Sequence, residues 1–362
     1  VAMTLGGLLI VIALCLTATM RSVWEFYLYY GITLGLGVSA TLAVPGVGTA
    51  RKWFVKKAGL AVAIATAGGS LGLALIGPLA KVLIPSYGWR TSYLIIGPAF
   101  GILITFFALI FVRKDPESVG LLPDGDISEQ VFSSTDAEHT NVTSSEETWT
   151  VLEAFKTRSY WCILFAYGIA GFAVLGITAH IGAWSNDIGI AAGLTKDASL
   201  RIATISVVLF AFATVIGKLI GGPLSDRIGR KPVLFIAAVF LCISFMWAAV
   251  LESPNQIIFA CPAVAASFGI GIPAFGPILG DLYGRLSVAT LFGFLTFFAG
   301  MIGGAGATIY GWIFDITESY TWAFLTCFAL CFVFALLVFL IKQEKKKVIS
   351  EVPLSDSIMD SV

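Results

Sequence analysis

About ten apolar runs, each long enough to cross the roughly 30 Å hydrocarbon core of a bilayer, constrain this chain more than any other feature. They fall at 2 to 19, 24 to 49, 57 to 84, 90 to 112, 158 to 183, 199 to 222, 232 to 251, 255 to 279, 287 to 311 and 321 to 341. Each is about twice the length of a membrane strand and lacks period-two alternation, so the runs predict helices rather than a barrel. Of the 362 residues, 58% are hydrophobic and 12% charged, more apolar side chain than one water-soluble core encloses. Lipid must therefore solvate much of the chain, and the expected fold is an all-α integral membrane protein.

Short loops on one side of a membrane protein collect Lys and Arg, and the basic residues here sort in that way. One face takes Arg51, Lys52, Lys56, Lys57, Arg113, Lys114, Lys156, Arg158, Arg227, Arg230, Lys231, Arg285, Lys342, Lys345, Lys346 and Lys347. The other holds Arg21, Arg90, Lys196 and Arg201, while Lys81 and Lys218 lie inside runs. The crowded face is expected to be cytoplasmic, and with it the C-terminus. Residues 114–157 are rich in Ser, Thr, Asp and Glu and read as a mobile linker between an N-terminal bundle, 1–113, and a C-terminal bundle, 158–341. Asn141-Val142-Thr143 has glycosylation spacing but falls in that cytoplasmic linker, and 342–362 reads as an unstructured tail. All six cysteines sit in apolar stretches without CxxC spacing or nearby histidines, so no metal or other cofactor is expected. Net charge is zero, which offers no field for nucleic acid.

An internal repeat organises the spans. Ala67-Gly68 is followed 21 residues later by Trp89, and Ala299-Gly300 is followed 22 residues later by Trp322. Glycine-rich helices precede both, with Gly35-Leu36-Gly37 in one half and Gly269-Ile270-Gly271 in the other. The match pairs the third span with the fifth span of the second half, so the first half would lack two helices of a six-plus-six arrangement. Val1 opens inside an apolar run with no initiator Met, which fits that expectation.

The strongest local motif is Gly217-Lys218-Leu219-Ile220-Gly221-Gly222-Pro223-Leu224-Ser225-Asp226-Arg227-Ile228-Gly229-Arg230-Lys231, at the basic end of the sixth span. Glycines permit a tight turn there, and Asp226 can accept from the N-terminus of an adjacent helix or pair with an arginine. The motif resembles the G-x-L-a-D-r-x-G-r-k turn of the major facilitator superfamily, matched by Gly222, Leu224, Asp226, Arg227, Gly229, Arg230 and Lys231. That resemblance implies a gating latch; the plainer reading is a positive anchor around a solvated turn. The stretch Trp53-Phe54-Val55-Lys56-Lys57-Ala58-Gly59-Leu60-Ala61-Val62-Ala63-Ile64-Ala65-Thr66-Ala67-Gly68 resembles the fifth-helix signature of monocarboxylate transporters, departing at Trp53, Ala58 and Ala63. Tyr87-Gly88-Trp89-Arg90, the segment from Pro116 to Gly125 and Asp281-Leu282-Tyr283-Gly284 are similar to prokaryotic relatives of this group and of oxalate/formate antiporters. The resemblance covers essentially the whole chain, as helices three to twelve of a twelve-helix fold.

An ionised lysine at the bilayer centre costs about 2.5 to 3.5 kcal/mol, so Lys218 either faces a cavity or snorkels to the interface about 12 Å away, near Asp226. Monocarboxylate and oxalate carriers place a cation, normally Arg, at the matching position, which implies carboxylate binding by Lys218. The proton-coupled branch also carries an Asp four residues earlier, where this chain has Thr214. Lys81 lies near the outer end of its span, where snorkelling is expected. His180, the only histidine in a span, is either a titrating coupling group or a hydrogen-bonded structural residue. Gly31 and Gly35, Gly68 and Gly72, Gly217 and Gly221, and Gly300 and Gly304 have the spacing of close helix packing.

These readings imply a secondary carrier of the cell membrane, bacterial inner or plasma, moving a small organic anion by proton symport or anion exchange. The alternatives are a carrier of a non-anionic solute and a transporter-like sensor that does not translocate. The spans hold no HExxH, GxSxG or paired carboxylates, and no GxxxxGK[ST] loop is present, so an enzyme is not expected.

Overall fold

A computed structural model describes residues 2–41, 43–113, 115–116, 119, 121, 123–125, 149–251, 253–284 and 287–342. Among these, nine helices are long and apolar enough to cross a membrane. They are α1 (Ala2–Thr19), α2 (Val23–Trp53), α3 (Ala58–Phe111), α4 (Arg158–Ala191), α5 (Lys196–Ile228), α6 (Arg230–Val250), α7 (Pro254–Tyr283), α8 (Val288–Thr317) and α9 (Thr321–Leu340). No strand occurs among the described residues.

Helix α3 merges two expected spans. A straight helix of its 54 residues would run about 80 Å, far beyond a bilayer. It breaks at Gly88, whose φ of 76° and ψ of 160° are open essentially to glycine alone. Lys57 and Leu60 at its start line the same pocket as Phe111 and Arg113 at its end, so the chain doubles back at Gly88. The nine helices thus make about ten crossings, as the hydropathy pattern predicts.

Helix ends extend past the apolar runs. Helix α4 continues to Ala191, α5 starts at Lys196 and α8 reaches Thr317. Hydropathy marks where hydrocarbon ends, whereas the helices stop at caps beyond it: Thr157 accepts from Tyr160 N, Thr195 from Ala198 N, and Glu318 closes α8 in the left-handed conformation.

Packing follows the repeat. Helix α1 packs against α2 and the second limb of α3, and α6 packs correspondingly against α7 and α9. In the first set Gly7 and Gly101 bring backbones together; a Cβ on Gly101 would lie 2.8 Å from the Gly7 carbonyl. In the second, Ser244 and Ser267 hydroxyls meet at 3.2 Å. Helix α4 fills the centre of the second set, where Tyr160 and Ile163 lie in one buried cluster with Phe275, Leu291 and Phe334, and the Tyr160 hydroxyl donates to Leu291 O at 3.1 Å.

Most of the expected linker, including Asn141-Val142-Thr143, and the tail beyond Lys342 lie outside the described residues. The linker's final stretch is helical. Val151–Phe155 is capped by reciprocal bonds between Thr150 and Glu153, and Trp149 packs on Tyr283 with ring centroids 5.6 Å apart. Aromatic side chains dock a stretch that its polar composition marked as linker.

Candidate functional site

The two sets of helices meet along a seam between the first limb of α3 and α5. One stripe of α3, spaced three and four residues apart, runs along α5: Gly59, Ala63, Thr66, Ser70, Ala74, Gly77 and Lys81. At the basic end the backbones touch. A Cβ on Gly222 would lie 2.6 Å from Gly59 O and 2.7 Å from the Ala63 methyl, and one on Gly59 would lie 2.5 Å from Gly222 O. Any larger side chain at either position would force the helices apart.

Asp226 completes that contact. The α3 N-cap, Lys57, contributes no side-chain bond to the helix start. Asp226 does so from α5: its Oδ1 accepts from Gly59 N at 2.8 Å and its Oδ2 from Leu60 N at 3.0 Å. A carboxylate at a helix N-terminus meets both free N–H groups and the positive end of the dipole. Arg230 pairs with the same carboxylate, donates to Ser225 Oγ at 2.7 Å and reaches Asp281 at 3.4 Å. Asp281 in turn pairs with the buried Arg51 of α2 at 2.9 Å. Both acceptor modes expected of Asp226 are therefore present at once, and the resulting network ties α2 and α3 to α5, α6 and α7. Val47 of α2 also packs onto Gly276 of α7, so this face is closed by apolar as well as polar contacts.

The other motif residues have plainer positions. Arg227 is exposed, and Gly229 turns the chain between α5 and α6 at φ 95°. Lys231 donates to Phe339 O at 2.8 Å and Ile341 O at 2.9 Å, capping the end of α9. Lys56 and Lys57 are exposed on the basic face; Lys56 N donates to Asp124 at 2.9 Å. Lys52 pairs with Asp115 at 2.6 Å on the same face.

Lys218 stands four residues before Gly222, and its side chain is 6% exposed. Its ammonium donates to Thr66 O at 2.8 Å and Ser70 Oγ at 2.9 Å, both on α3. Lys218 therefore reaches across the seam from α5 to α3. No carboxylate forms an ion pair with it among the described residues. Thr214, where the proton-coupled pattern has Asp, donates to Phe210 O of its own helix at 2.8 Å.

Farther along the stripe Ala74 is buried, and beside Gly77 the space is open. A Cβ on Gly77 would meet no atom within 4 Å. Lys81 then crosses in the opposite sense, from α3 to Thr204 Oγ1 of α5 at 3.1 Å. Snorkelling alone does not describe it. His180, near the same end of α4, has both ring nitrogens engaged, Nδ1 with the Tyr320 hydroxyl at 3.1 Å and Nε2 with Ala307 O at 2.9 Å. Of the four glycine pairs, only Gly217 and Gly221 pack closely, against the backbone of Ala266 and Ile270; the others face open space. Spacing of small residues makes a groove, and tertiary structure decides whether a helix fills it.

Sequence reasoning missed Thr66, Ser70, Thr204 and Arg51 as partners. Ser70 and Lys81 are eleven residues apart, three helical turns, and their shared face was the available signal.

The model of the major facilitator superfamily matches this chain over residues 1–203 and 190–357. The chain belongs to that superfamily. Among curated relatives it is 25% identical to monocarboxylate transporter 12 of Rattus norvegicus, over 92% of this chain and 70% of that protein. It is 24% identical to the oxalate:formate antiporter of Oxalobacter formigenes, over 85% of this chain and 69% of that protein. Among solved structures, the E. coli fucose:proton symporter superposes with a TM-score of 0.66 at 14% identity, covering 95% of this chain and 84% of that one. At that identity the likeness establishes the fold. A major facilitator chain is a membrane transporter and not an enzyme.

Proposed function

We propose that this transporter is a secondary carrier of a small organic anion, a mono- or dicarboxylate, in the cell membrane, with the basic face and the C-terminus cytoplasmic. One observation carries the reading. Lys218 is a buried ammonium between α5 and α3, held among the described residues by neutral oxygens alone. Its two bonds use two of three N–H donors, and its charge is uncompensated by protein among the described residues. A carboxylate is the ligand that supplies both the missing acceptor and the missing charge. The printed functions of the rat and Oxalobacter relatives, monocarboxylate and oxalate:formate transport, support that class of substrate.

Residues 1–113 and 158–341 would then act as two bundles that rock about the seam, with 114–157 connecting them. In this arrangement the seam is closed at the basic end by Gly59, Gly222 and Asp226, and open space lies beside Gly77. Opening to the cytoplasm requires Asp226 to leave the α3 N-terminus and Asp281 to leave Arg51. Lysine presents a point charge without the planar fork of arginine, so it holds one carboxylate oxygen rather than two. Thr214 supplies no titratable group one turn from Lys218, which favours anion exchange over proton symport. The test is uptake of radiolabelled pyruvate, lactate, formate and oxalate by proteoliposomes holding the full chain. Exchange predicts uptake that depends on internal carboxylate and is unchanged by a pH gradient. Uptake driven by the gradient alone would establish symport, and no carboxylate flux would reject the anion reading.

A further inference from the structure

We infer that Lys81 is an entry residue, the ammonium that engages the substrate carboxylate at the outer mouth of the seam before Lys218 does. The inference rests on the anion reading above. Lys81 lies on the stripe of α3 that runs along α5, eleven residues, or about 16 Å, beyond Ser70. Seven residues separate it from the turn at Gly88, and eight separate Thr204 from the start of α5, so their bond lies about 10 to 12 Å inside the outer end of both helices. Between this bond and Lys218 the stripe presents the buried Ala74 and then Gly77, with nothing within 4 Å of where a Gly77 side chain would start. Two cations thus flank the open space at Gly77, one from α5 and one from α3, each reaching across to the opposite helix.

Lys218 and Lys81 share a coordination pattern that distinguishes them from the cations of the basic face. Arg51, Lys52 and Arg230 pair with Asp281, Asp115 and Asp226. Lys81 is held by one hydroxyl and makes no ion pair among the described residues, although it is exposed. Thr204 also donates to Leu200 O at 2.8 Å, so its hydroxyl stays satisfied when Lys81 leaves. A single neutral bond is weak enough to exchange for a carboxylate. A fixed positive charge at the mouth of a low-dielectric cleft raises local anion concentration, by about tenfold or more at low salt.

Lys81 could instead be a tether that holds the two helices at a set spacing, and the test separates these roles. Initial rates of carboxylate uptake are measured for wild type, Lys81→Gln, Lys81→Arg, Thr204→Val and Lys218→Ala, with substrate presented from the outer face and, in inverted vesicles, from the basic face. The entry role predicts that Lys81→Gln raises the outer-face KM about tenfold with little change in kcat or in the basic-face KM. Lys81→Arg keeps the KM near wild type, Thr204→Val leaves it within about twofold, and the Lys81→Gln defect shrinks near 1 M salt, where the screening length is about 3 Å. Thr204→Val reproducing Lys81→Gln, or an outer-face KM indifferent to Lys81→Gln, overturns the inference. Lys218→Ala abolishing uptake while Lys81→Gln is silent removes the entry role alone; uptake that survives Lys218→Ala removes the anion site beneath it.

Discussion

Two charged hydrogen bonds, each about 1.5 to 3 kcal/mol, offset the roughly 2.5 to 3.5 kcal/mol that a lysine costs inside a bilayer. Lys218 can therefore remain charged on the seam without a protein carboxylate, with one N–H left for a ligand. His180 is the contrasting residue. A neutral imidazole donates from one nitrogen and accepts at the other, and Ala307 O with the Tyr320 hydroxyl satisfies both. His180→Gln, which keeps a donor and an acceptor, is expected to transport at near wild-type rate with an unchanged pH profile between pH 5 and 8. A flattened profile would identify His180 as a coupling group instead.

At the scale of elements, the α3 turn depends on one residue. Gly88 holds a backbone conformation that costs other residues about 1 to 3 kcal/mol, so Gly88→Ala is expected to lower the melting temperature of the detergent-solubilised protein by several degrees. A melting curve identical to wild type would mean that the two limbs of α3 tolerate another turn. The crossings, about ten, were legible in the sequence because lipid imposes length and apolarity on each helix. Asp226 was legible too, since a carboxylate in a glycine-rich turn has few uses besides a helix N-terminus or an arginine. The partners of Lys218 and Lys81 were not. Thr66, Ser70 and Thr204 look like ordinary small residues in apolar runs, and only the packing of α3 on α5 gives them a role. The open glycine pairs were misjudged for the same reason: Gly68 and Gly72 carry the spacing of Gly217 and Gly221 but have no helix against them.

For the whole molecule, the seam orders the parts from one face to the other. Backbone contact and the Asp226 network close the basic end, Lys218 bridges the interior, the space beside Gly77 is open, and Lys81 bridges the seam nearer its other end. Rocking of the halves would exchange which end is closed, with Lys218 near the pivot. The central claim is that the Lys218 charge binds the carboxylate, and the most direct test is the KM and rate of carboxylate uptake by Lys218→Ala and Lys218→Arg in proteoliposomes, with melting temperature as the check on folding. The account predicts that Lys218→Ala folds but loses uptake by about a hundredfold or more, the effect of losing one charged bond of about 3 kcal/mol, while Lys218→Arg retains measurable flux. A folded Lys218→Ala that takes up carboxylate at wild-type rate would contradict it.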